Sequence, residues 1–139
     1  MEEKIKNYLE QFEFIEFALI FGSNASGRTG YLSDLDIGIY SNSDIDLLLL
    51  GKIISELEKI SNKNVDLVEL NGLYKKSPVF AYKIVSNHKL LFSKNDENYI
   101  KFKRNSLLYY FDTEKLREAV NSALRKRIKS NNFGKRNYA

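Results

Sequence analysis

The sequence predicts an α/β (α+β) chain, with four short strands alternating with helices up to about residue 94 and a helical tail after it. Three observations carry this. Apolar runs of strand length are bounded by turn residues, and the segments between them place apolar residues at spacings of three and four. The length of 139 residues allows a single domain, and 43% hydrophobic residues suffice for a real core. Charge is also divided along the chain. Residues 1–100 hold 11 basic and 15 acidic side chains, residues 101–139 hold 11 and 3, and the whole carries +4.

The elements follow in order. Residues 2–11 predict an amphipathic helix, with Ile5, Tyr8, Leu9 and Phe12 on one side. Residues 14–21 are almost all apolar and β-prone, which predicts a buried strand. The small-residue loop Gly22-Ser23-Asn24-Ala25-Ser26-Gly27-Arg28-Thr29-Gly30 follows. Residues 32–40 predict a second strand, Ser41-Asn42-Ser43 a cap cluster, and 44–60 a helix buried through Leu50, Ile53, Ile54, Leu57 and Ile60. A turn at 61–64 leads to a third strand at 65–70 with Asp66 inside it. Ser77-Pro78 predicts a helix start, since serine caps and proline suits the first helical position; Asn87-His88 predicts its stop. Residues 89–93 predict a short fourth strand, and helices are expected at 96–110 and 113–130. In the last, Leu116, Val120, Leu124 and Ile128 repeat every four residues. Residues 1–94 are thus expected to form the core and 95–139 a helical extension of the same compact domain.

Composition excludes whole classes of chemistry. Without Cys there are no disulfides, thiolate metal sites or cysteine nucleophiles, and one His leaves no multi-histidine metal site. Carboxylates, hydroxyls, amines and bound ions remain. The opening Met1-Glu2-Glu3-Lys4-Ile5-Lys6 does not read as a secretory leader. The apolar runs at 17–21 and 47–50 fall far short of the roughly 20 residues that span a bilayer. A soluble, cytoplasmic protein with no membrane partner is expected.

One constellation stands out: Gly22-Ser23 after a buried strand, then Asp34-Leu35-Asp36 at the next strand, then Asp66 on a third. Residues i and i+2 of a strand point the same way, so Asp34 and Asp36 project together. Adjacent carboxylates facing one way suit a hard cation such as Mg²⁺, which also takes ligands from substrate phosphates. Asp66 supplies a third acid, and three acids suffice for a two-metal phosphoryl or nucleotidyl transfer site. A strand ending in Gly-Ser offers backbone N–H groups and a hydroxyl to a phosphate, with no Cβ at the glycine to hinder approach. Neither a Walker A loop nor a Gly-x-Gly-x-x-Gly fingerprint is present.

The run from Gly22-Ser23 through Ser33-Asp34-Leu35-Asp36-Ile37-Gly38 resembles the signature of the minimal nucleotidyltransferases, within the DNA-polymerase-beta-like superfamily. Val65-Asp66-Leu67-Val68 is similar to that family's third-acid strand, and Ser77 to Ile84 followed by Lys89-Leu90-Leu91-Phe92 to its next helix and strand. The resemblance covers about residues 5–95. Many members carry Arg where this chain has Ser26, and Arg28 lies two residues later. The resemblance implies a small mixed sheet of about four strands flanked by helices, of nucleotidyltransferase type. It implies two Mg²⁺ ions held by Asp34 and Asp36, with Asp66 ligating one and helping to deprotonate an acceptor hydroxyl. Gly22 and Ser23 would hold the triphosphate of ATP. It also implies a HEPN-domain toxin as partner, silenced by transfer of AMP to a tyrosine. Two alternatives stand beside this: an antitoxin acting by stoichiometric binding, and an enzyme modifying a small molecule such as an aminoglycoside.

Other residues attract a blander expectation. Asp44 and Asp46 repeat the Asp-x-Asp pattern in a predicted first helical turn, where carboxylates favour the positive end of the dipole. Glu69 is expected to face away from Asp66, His88 to lie in a surface turn, and Tyr109-Tyr110-Phe111 to pack. Arg125-Lys126-Arg127-Lys129 and Lys135-Arg136 form a solubilising face or contact nucleotide phosphate, RNA or an acidic partner groove. Direct nucleic-acid binding is not the expected role.

Overall fold

The β-prone apolar run after the first turn becomes the central strand β1 (Ile15–Phe21) of a four-stranded sheet, ordered β3-β2-β1-β4. The computed structural model describes residues 1–22 and 34–129. Strands β2 (Leu35–Ser41) and β4 (His88–Ser93) flank β1 antiparallel, while β3 (Val65–Glu69) joins β2 in parallel, so the sheet is mixed. Being central, β1 has both faces covered, which is why its sequence reads as nearly continuous rather than alternating apolar residues.

Two cores sandwich the sheet. On one face α1 (Glu2–Glu10) and α2 (Leu47–Ser61) bury Ile5, Leu9, Ile53 and Leu57 against Ile15, Ile20, Leu35, Ile37, Ile39 and Val65. On the other, Phe17, Leu19 and Phe21 meet Leu70, Ile84 and Phe102 from the side of α3 (Leu73–Lys76), α4 (Pro78–Ser86) and α5 (Asp96–Lys129). Side chains alternate across a strand. Packing Leu35, Ile37 and Ile39 under α1 and α2 therefore turns Asp36 and Tyr40 toward the opposite face.

Several expectations shift. The helix foreseen from residue 44 starts at Leu47, because Asp46 takes the N-cap. Its carboxylate accepts from the N–H groups of Leu48 (2.7 Å) and Leu49 (3.4 Å), so the capping role falls to Asp46 and not to Asp44. Ser77 makes no side-chain cap; it closes α3 and opens α4 at once in a non-helical backbone conformation, and its carbonyl accepts from Ala81 N–H (3.0 Å). The short helix α3 was not foreseen. The two helices expected after residue 95 are one helix of 34 residues, since Phe111-Asp112 contains neither Gly nor Pro to stop it. Val120, one of the apolar residues repeating every four positions, is 51% exposed. Among the described residues no helix is long and apolar enough to cross a membrane.

Candidate active site

The site is built where β1, β2 and β3 end or begin side by side. Phe21, the last residue of β1, lies opposite Asp36 on one flank and His88 on the other. The chain then turns at Gly22 with φ +76°, in the left-handed region. A Cβ there would lie 2.6 Å from Asp36 Oδ2, closer than such atoms approach. Glycine is required twice over, for the backbone angle and for the contact, and the first residue of the turn is pressed against the central carboxylate.

Two backbone hydrogen bonds lock β2 beside β3: Leu35 N–H donates to the Asn64 carbonyl (2.8 Å) and Leu70 N–H to the Ile39 carbonyl (2.8 Å). The resulting register sets Asp36 directly beside Asp66. Partners in a parallel pair share a face and stand about 4.8 Å apart across the ladder. Asp66 therefore projects with Asp36, on the side of Tyr40 and Val68. Asp34, one residue before β2, is exposed. Burial first, then the charges of Asp66 and Asp34, push the Asp36 carboxyl above the usual carboxylate range. Asp36 thus feels the charge of both other acids of the constellation.

That donor set is entirely oxygen and repels itself, which suits a hard divalent cation. The described residues contain no three acids or histidines grouped tightly enough to hold a metal ion without rearrangement. Asp36 and Asp66 form the converging pair and Asp34 stands at its rim. Ser23, the other predicted phosphate contact, lies outside the described residues, as do Ser26 and Arg28.

The remaining candidates scatter. Asp44 and Glu69 line a polar pocket with Ser41, Asn42, Ser43 and Asn71 at the far end of β2, about 16 Å along the strand from Asp36. That pocket is held together by Asn71, whose amide accepts from Ser41 N–H (3.1 Å) and donates to the Ser41 carbonyl (2.7 Å). His88 is not a surface-turn residue. It opens β4, half-buried, with Nδ1 2.9 Å from the Val85 carbonyl and Nε2 2.8 Å from the Tyr99 hydroxyl. A carbonyl only accepts, so Nδ1 donates and Nε2 accepts from Tyr99, joining α4, β4 and α5. Tyr109 meets Tyr74 edge-on, Tyr110 stacks on Tyr82 at 3.9 Å, and Phe111 is 49% exposed. Arg125 and Lys126 are exposed; Lys135 and Arg136 lie outside the described residues. The sequence reading missed Asn87, whose side-chain amide donates to the Gly22 carbonyl (3.2 Å). Only its place at a helix stop marked it.

A glycine turn packed against paired acids at one end of a mixed sheet is the arrangement of a nucleotidyltransferase. The chain belongs to the polymerase beta nucleotidyltransferase family, whose model matches residues 3–97. Among characterised proteins it is similar to the protein adenylyltransferase MntA of Aphanizomenon flos-aquae, 24% identical over 118 residues, covering 78% of this chain and 77% of that protein. Among solved structures it resembles a toxin–antitoxin complex with AMP-PNP, with a TM-score of 0.69 at 21% identity, covering 88% of this chain and 96% of the matched one. It also resembles a complex of a tri-AMPylated Shewanella oneidensis HEPN toxin with its MNT antitoxin. There the TM-score is 0.65 at 18% identity, over 90% of this chain and 99% of the other. These structural likenesses establish the fold.

Proposed function

We propose that this protein is a Mg²⁺-dependent adenylyltransferase and an antitoxin, transferring AMP from ATP to a tyrosine hydroxyl of a HEPN-domain toxin. The observation that carries the reading is the register pairing of Asp36 with Asp66 beside Gly22. Support for the acceptor and partner comes from the relatives, an adenylyltransferase and antitoxins solved with HEPN toxins.

In this reading residues 1–94 carry the chemistry and 95–139 extend the same domain. Asp34, Asp36 and Asp66 would hold two Mg²⁺ ions, which when bound would supply charge neutralisation for the triphosphate and a lowered pKa at the acceptor hydroxyl. Gly22 lets the backbone approach the phosphates, and Ser23 donates its hydroxyl to them. Asp66 takes the tyrosine proton. The phenolate oxygen then bonds to the α-phosphorus, the bond from that phosphorus to its bridging oxygen breaks, and pyrophosphate leaves with the electron pair. A cytoplasmic location, where ATP is at hand, belongs to the same proposal.

The test is to incubate the protein with ATP, Mg²⁺ and its HEPN partner and analyse the partner by mass spectrometry. One or more AMP groups on tyrosine are expected with the wild type and none with Asp36→Ala. An Asp36→Ala variant that still neutralises the toxin in cells at normal expression would replace this reading with stoichiometric binding.

A further inference from the structure

We infer that Asn87 is a positioning residue for the nucleotide: its side chain clamps the Gly22 carbonyl and so holds the left-handed Gly22 against the Asp36 carboxylate. The inference rests on the nucleotide-binding reading of that turn.

The antiparallel register of β1 with β4 pairs Phe21 with His88, so the next rung would pair Gly22 with Asn87. No backbone rung forms there among those of the sheet, because Gly22 swings to φ +76° to pass Asp36 Oδ2. The Asn87 amide spans the divergence and donates to the Gly22 carbonyl at 3.2 Å. Fixing that carbonyl holds the Gly22 backbone in the conformation that passes Asp36 Oδ2. Gly22 is the residue at which, in the reading above, the backbone approaches the phosphates.

Asn87 is itself well anchored. Its backbone N–H donates to the Ile84 carbonyl (3.3 Å) at the end of α4. The next residue, His88, is pinned by Val85 on one side of its ring and by Tyr99 on the other. An exposed amide at a helix end has water available as a partner; here it instead reaches a carbonyl 65 positions earlier in the chain. The clamp thus links the α4–β4 corner to Gly22, which lies against the Asp36 carboxylate.

The test compares wild type, Asn87→Ala, Asn87→Gln and Asp36→Ala as full-length chains. AMP-PNP with Mg²⁺ is titrated by calorimetry, and ATP kinetics and thermal melting are run in parallel. One net hydrogen bond corresponds to about a three- to tenfold change in affinity. Asn87→Ala is therefore expected to weaken AMP-PNP binding and raise the KM for ATP by that factor at nearly unchanged kcat. Asn87→Gln, which keeps the donor, binds more tightly than Asn87→Ala. Wild-type affinity in Asn87→Ala, or a loss of kcat and melting temperature at unchanged affinity, would overturn the inference, as would Gln weaker than Ala. Failure of the underlying reading looks different: Asp36→Ala would then transfer AMP as the wild type does.

Discussion

The chain contains two Asp-x-Asp pairs ten residues apart, Asp34/Asp36 and Asp44/Asp46, and they meet opposite fates. Asp46 stands at the start of α2, exposed, where two backbone N–H groups donate to its carboxylate. Asp36 stands inside the sheet, where burial first and then the like charges of Asp66 and Asp34 push its pKa up. One carboxylate serves the fold at little cost; the other strains it. A group that costs the fold stability and feels two more of its kind is where the proposed function seats a cation and a phosphate chain.

Breaking the second situation should have the largest effect. Asp66→Asn keeps shape and removes one charge; AMP transfer is expected to fall by about 10²–10³-fold, the scale on which groups stabilising transition-state charge act. Gly22→Ala forces a side chain into a left-handed backbone and against Asp36 Oδ2. It is expected to cost about 1–3 kcal/mol in a denaturant melt and to lose most transfer activity.

A subtler contrast lies in pH. Asp36 titrates higher in the folded protein than its ordinary 3.8. Between those two pH values the folded chain binds more protons than the unfolded one, so stability falls as pH rises through that window and stays lower above it. With metal chelated, Asp36→Asn is therefore expected to melt higher than the wild type at neutral pH and to lose that slope. Added Mg²⁺ should raise the melting temperature of the wild type more than that of Asp36→Asn. The smallest effect belongs to the capping pair: Asp46→Ala should cost about 1 kcal/mol, read by chemical denaturation, and leave transfer intact.

The comparison also shows how far sequence reasoning reaches. Strand alternation and the apolar run at 15–21 were legible because burial acts residue by residue, and they place Asp36 and Asp66 on one face. The cap was legible as a type of residue but not as a position: Asp44 and Asp46 look alike until the backbone turn at 46 selects one. Asn87 and His88 were read as a helix stop and a turn, since their roles depend on partners 65 and 11 residues away. The continuity of α5 was missed because two predicted helices and one differ only at Phe111-Asp112, where no breaking residue stands. Polar contacts across long separations leave no periodic trace.

The central claim is that only the Asp36 pair is chemical. It is tested most directly by the initial rate of labelled AMP transfer from ATP to the HEPN partner in Asp36→Asn and Asp46→Asn, measured side by side. Loss of transfer in the first with a wild-type rate in the second is the predicted result; equal rates in both would contradict it.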